Sequence, residues 1–123
     1  MDCPDCGSDT LAFAVPEQYR DTLPGQERGV AVCTNCLAVH PAPDVSEGLP
    51  DFQRISDAFP SNREAALPMA LLVGLLPNLA LYRAEISELL DAVERAGADP
   101  LLVLDRLAHD PDVDPETDLA GRR

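Results

Sequence analysis

Four cysteines in two pairs carry the clearest chemistry in this sequence. Cys3-Pro4-Asp5-Cys6-Gly7 is followed by Cys33-Thr34-Asn35-Cys36-Leu37, with a spacer of 26 residues between Cys6 and Cys33. A C-x-x-C turn can aim both sulfurs to one side, and two such turns complete a tetrahedron around a metal at about 2.3 Å. Gly7 permits the positive φ that follows a second sulfur, and Pro4 stiffens the first turn. Leu37 stands where the second turn would take a glycine, so that half is expected to be the less regular. One structural zinc per chain, held by Cys3, Cys6, Cys33 and Cys36, is the favoured reading. A rubredoxin-like iron site uses the same four thiolates and is the less favoured one. Paired disulfides would suit an exported chain, and an oxidisable zinc site would need a reactive thiolate that nothing marks out. His40, four residues after Cys36, reads as a polar residue at a strand end, because four sulfurs already close the site. A catalytic zinc would instead keep a position open for water.

These cysteines need short strands to carry them, and the sequence supplies three. Leu11, Phe13 and Val15 alternate, Val30 and Val32 lead into Cys33, and Leu37 and Val39 follow Cys36. The expectation is an α+β fold: a small zinc ribbon of three short antiparallel strands over 1–43, followed by a helical hairpin or bundle of three to four helices. Pro16 to Gly29, with Pro24-Gly25 as a turn signal, reads as a solvated loop. The spacer exceeds the usual 15 to 20 residues, but the extra closure entropy is only about 0.3 kcal/mol.

Residues 44–50 read as a linker and 51–110 as a helical domain. Phe52, Ile55 and Phe59 predict a short helix that stops before Pro60. Ser61-Asn62-Arg63-Glu64 has capping-box spacing and predicts a second helix running to about Leu76, kinked or delayed by Pro68. A third helix is expected from Asn78 to Ala96. Its apolar arc is Leu79, Tyr82, Ile86, Leu89, Leu90 and Val93, and Leu81 projects toward the charged side. Gly97 caps it, and Asp99-Pro100 opens a fourth helix that reaches about His109. His109 is placed to interact with the end of that helix. Leu101, Leu102, Val103 and Leu104 cover every direction around its first turn, so with Leu81 they form the candidate surface for a protein partner or homodimer. Residues 111–123 read as an acidic tail. Its alternating acids place Pro115 where a calcium loop needs glycine, which argues against calcium.

The 22 acidic side chains, 14 Asp and 8 Glu, face 9 Arg and no Lys, for a formal charge of −13. Residues 1–43 carry −4 and the remainder −9, and four thiolates around a divalent zinc would add about −2 to the first part. Such a chain repels phosphate backbones, so nucleic-acid affinity driven by counterion release is disfavoured. Acid excess, Asp over Glu, and Arg in place of Lys resemble the composition of haloarchaeal proteins, where molar salt screens self-repulsion. Met1-Asp2-Cys3-Pro4 has neither a basic region nor an apolar run, so the expectation is a cytoplasmic chain without a signal peptide. Ala65 to Tyr82 is uncharged over 18 residues. Pro68, Gly74, Pro77 and Asn78 interrupt it, and a membrane span is not expected.

The segments Met1 to Gly7, Val32 to Leu37, Ile55 to Pro60 and Asp99 to Leu107 resemble an uncharacterised haloarchaeal family with an N-terminal zinc ribbon and a helical C-terminal half. Cys3-Pro4-Asp5-Cys6-Gly7 is also similar to the small haloarchaeal zinc-finger proteins named for the CPxCG motif, from which the second pair departs. The resemblance implies zinc binding by Cys3, Cys6, Cys33 and Cys36, with no assigned reaction or partner. No set of nucleophile, base and orienting group is visible, and no glycine-rich phosphate loop is present. The expected role is therefore a non-enzymatic zinc-binding adaptor. A zinc-ribbon factor associated with nucleic acid in transcription or translation is the alternative.

Overall fold

In the N-terminal half, alternation of large and small residues builds a sheet with one apolar face. The computed structural model describes residues 2–4, 6–23, 28–42, 45, 50–111 and 113. The Pro24-Gly25 turn, most of the linker and the tail from residue 114 lie outside them. Three antiparallel strands, β1 (Thr10–Ala14), β2 (Gly29–Cys33) and β3 (Val39–Pro41), lie in the order β1-β2-β3. The register pairs Phe13 with Val30 and Leu11 with Val32 on one side of β2, and Val32 with Val39 on the other. Directly opposed residues share a face, so Leu11, Phe13, Val30, Val32 and Val39 form one apolar surface. Ala12, Ala31 and His40 form a row on the other face.

The apolar face of the sheet is covered by the helices, and one core runs through both halves. All three phenylalanines of the sequence meet there. Phe13 of β1 packs edge-on against Phe52 at 5.1 Å between ring centres, and Phe52 lies 6.1 Å from Phe59. Gly74, in the long helix described next, is a point of close approach: a Cβ there would collide with the Val39 side chain of β3.

The central helix, α2 (Arg63–Leu75), is buried around nearly its whole circumference, from Ala65 through Val73. Its interior position follows from a sequence apolar on every side. Asn62 caps it, accepting from Glu64 N at 3.0 Å, and its amide donates to Ala96 O at 3.0 Å. That residue, rather than Ser61, is the cap, and it ties the start of α2 to the end of the following helix. Pro68 does not delay the start. It removes one backbone donor near the first turn, and the buried residues on either side, Leu67 and Met69, hold the helix through it.

α3 (Arg83–Arg95) begins five residues later than the expected Asn78. Pro77 sits in a 3₁₀ turn over Leu76–Asn78, and Tyr82, at φ −119° and ψ 32°, breaks the helical path before α3. Ile86, Leu89, Ala92 and Val93 face the core. Leu79, assigned from its periodicity to the same face, is instead 48% exposed because the chain there is not yet helical. Gly97 at φ +96° and a bond from Ala98 N to Val93 O at 3.1 Å close the helix. Asp99 then caps α4 (Pro100–Ala108), accepting from Leu101 N and Leu102 N at 3.1 and 3.3 Å. His109 Nδ1 lies 2.8 Å from Asp105 O, among the last carbonyls of α4.

Two segments differ from their sequence expectation in kind. Phe52–Arg54 is a single 3₁₀ turn, capped by the Asp51 carboxylate, rather than a helix to Phe59. Within Pro16 to Gly29, where only loop was expected, Glu17–Arg20 forms a helical turn, α1, and Thr22 and Leu23 after it are buried. Tyr19 packs on the core, so an anchor that sequence periodicity cannot register in four residues holds the segment. None of the helices among the described residues is long and apolar enough to cross a membrane.

Candidate metal centre

Each cysteine pair occupies a turn that the backbone itself closes. In the first, Cys3 N donates to Ser8 O and Gly7 N to Cys3 O, both at 2.8 Å, and Gly7 takes φ +79°. Cys33 ends β2, and its N donates to Ala38 O at 2.8 Å. Thr34 fastens the two turns together, donating from both its backbone N and its hydroxyl to Asp9 O at 2.9 Å. Leu37 takes φ +66°, the left-handed conformation that Gly7 takes in the first turn. Its side chain is 1% exposed. Burial of an isobutyl group, worth about 1.5–3 kcal/mol, outweighs the cost of about 1–2 kcal/mol for a left-handed non-glycine residue.

The four sulfurs converge. All lie within 4.8 Å of one another, with Cys3 to Cys36 at 3.7 Å and Cys6 to Cys33 at 3.3 Å. A tetrahedral four-thiolate ion with bonds of about 2.3 Å separates its sulfurs by about 3.8 Å, so the donor set fits a metal. The cysteines are free thiols, and the separations far exceed a disulfide bond of about 2.05 Å. Cys3, Cys33 and Cys36 are buried and Cys6 is exposed, so the centre meets solvent along the first turn.

Hydrogen bonds and burial divide the thiols. Cys33 Sγ accepts from Asn35 N and Cys36 N, each at 3.3 Å, and Cys6 Sγ faces the Asn35 amide at 3.9 Å. Bonds from the Ser8 backbone, then its hydroxyl, pull the Cys6 thiol down to about 6. Burial pushes Cys33 and Cys36 up. Cys6 is therefore the sulfur most ready to meet a metal, whereas Cys33 and Cys36 hold their protons more firmly and must give them up on binding.

His40 comes closer than its place at a strand end suggested. It lies in β3 opposite Ala31, and its Nε2 is 3.5 Å from Cys3 Sγ. The group of mutually close donors is nevertheless the four sulfurs, with His40 outside it. Ser8 and Asn35, which donate toward Cys6, carry no signal at the level of spacing beyond adjacency to the cysteines.

The candidate partner residues lie apart from the metal centre. Leu81, Leu101 and Leu102 are 74%, 71% and 46% exposed, whereas Val103 and Leu104 are buried in the core. Leu81 lies ahead of α3, and Leu101 and Leu102 lie in the first turn of α4.

A family model described as "Family of unknown function (DUF6276)" matches residues 2–123, and the chain belongs to that family. No curated protein matches the chain, and no solved structure does.

Proposed function

We propose that this member of the family is a non-enzymatic zinc-binding module. Cys3, Cys6, Cys33 and Cys36 hold one zinc that fixes the ribbon, and the helical half offers a surface to a protein partner or a second copy. The observation that carries the metal reading is the convergence of four sulfurs within 4.8 Å on two backbone-closed turns. When bound, zinc would supply a rigid tetrahedral crosslink between the two turns, a structural role. The four sulfurs fill that tetrahedron and leave no position for the water that a catalytic zinc activates. Iron uses the same donors and is separated by metal analysis.

The adaptor part of the proposal is supported by Leu101 and Leu102, which stand exposed while Val103 and Leu104 anchor the same helix. The formal charge of −13 stands against the nucleic-acid alternative. The acid-rich, lysine-free composition fits the cytoplasm of a halophilic archaeon. The test is affinity purification of the full chain at molar KCl, with and without nuclease, reading metal, protein and nucleic acid together. The expected result is one zinc per chain and a discrete protein partner that survives nuclease and is lost in the Leu101→Ser/Leu102→Ser variant. Partners released by nuclease would support the nucleic-acid role instead, and iron in place of zinc would overturn the metal assignment.

A further inference from the structure

We infer that His40 is a positioning residue of the metal centre: its Nε2–H donates to the Cys3 thiolate and holds that ligand without binding the metal. The inference rests on the four-thiolate reading and goes beyond it by assigning a fifth residue a defined role. Three observations support it. Nε2 lies 3.5 Å from Cys3 Sγ, within reach of an N–H···S bond. His40 stands outside the set of donors within 4.8 Å of one another, which is where a donor to one ligand belongs and a ligand does not. The third observation is the register. His40 is paired with Ala31 and Val39 with Val32, so strand alternation sends Val39 toward Gly74 and the core, and turns His40 to the face that carries Ala31 and Cys33. Ala31, the cross-strand partner of His40, is small and fully buried.

A metal-bound thiolate has no proton to give, so the bond forms only with the hydrogen on Nε2. Backbone N–H groups of Asn35 and Cys36 perform the same service for Cys33, and the backbone of Ser8 performs it for Cys6. Donation to the sulfur disperses part of the charge of about −2 that four thiolates leave on a divalent ion, and it fixes the direction of the Cys3 side chain. Removing such a partner typically weakens metal binding about 10-fold to 100-fold.

The test uses the full chain loaded with cobalt(II) as wild type, His40→Leu and His40→Gln. All three are expected to show the same four-thiolate charge-transfer and d–d spectrum. Transfer of metal to excess chelator should be about tenfold faster in His40→Leu and near the wild-type rate in His40→Gln, whose amide restores a donor. A changed spectrum in His40→Leu would make His40 a ligand and overturn the proposal, and so would an unchanged release rate. Imidazole ¹⁵N shifts in the zinc-loaded wild type give a readout free of mutation. They should place the proton on Nε2, and a metal-bound or unprotonated Nε2 overturns the proposal. Failure of the wild type to take up any metal overturns the four-thiolate reading and this proposal together, whereas failure of both His40 variants to load overturns the positioning role and leaves that reading intact.

Discussion

At the scale of single residues, the metal centre depends on one leucine doing the work of a glycine. Leu37 holds φ +66° with its side chain buried, so the two effects of replacing it have opposite signs. Leu37→Ala keeps the left-handed strain and loses the burial, and should cost about 2–5 kcal/mol. Leu37→Gly loses one buried carbon more, about 0.8 kcal/mol, but relieves about 1–2 kcal/mol of strain. Urea unfolding should therefore find the glycine variant the more stable, the reverse of the usual order, and the opposite order would show that Leu37 is unstrained. The thiols give a second prediction. Burial raises Cys33 and Cys36, and Ser8 holds Cys6 down at about 6. Metal uptake at pH 7 should thus expel protons, those of Cys33 and Cys36 among them, and affinity should fall as the pH drops because protons compete for the same sulfurs. Calorimetry in buffers of different ionisation enthalpy measures the count. A pH-independent affinity would contradict the assignment.

At the scale of elements, the ribbon and the helices meet at Gly74. Ala is the better helix former by about 1 kcal/mol, yet a Cβ at Gly74 runs into Val39 of β3. Gly74→Ala should therefore destabilise the chain, and Val39→Ala in the same chain should recover part of the loss. A double-mutant cycle measures this coupling, and simple additivity would mean that the sheet does not seat on α2 there. The same junction separates what is legible in the sequence from what is not. The strands are legible because alternation at Leu11, Phe13, Val30, Val32 and Val39 needs only period two. α4 is legible because Asp99 and Pro100 are local start signals. The cysteine pairs are legible because four identical donors at fixed spacing carry their own geometry. The start of α3 is not legible, because Leu79 and Tyr82 fit the helical arc and only the 3₁₀ turn at Pro77 and the Tyr82 backbone exclude them. The approach of His40 to Cys3 depends on the cross-strand register with Ala31, which spacing along the chain does not encode.

For the whole molecule, two properties dominate: among the described residues a core shared by sheet and helices, with buried cysteines in a small cluster of their own, and a formal charge of −13. Phe13 on Phe52 and Val39 against Gly74 join the sheet to the helices, so loss of the metal should be felt throughout the chain rather than in the ribbon alone. The charge makes stability depend on salt. Exposed Glu64, Glu88 and Asp91 line one groove, with Arg95 beside them. Raising KCl from 0.1 to 1 M shortens the screening length from about 10 to about 3 Å. The thermal midpoint should rise with it, and a midpoint that stays flat or falls would remove the case for adaptation to high salt. The central claim, that four sulfurs hold one metal, is tested most directly by native mass spectrometry of the full chain purified under reducing conditions, beside Cys33→Ser/Cys36→Ser. We predict one zinc per wild-type chain and none in the variant. A metal-free wild type, or a variant that keeps its ion, would contradict the account.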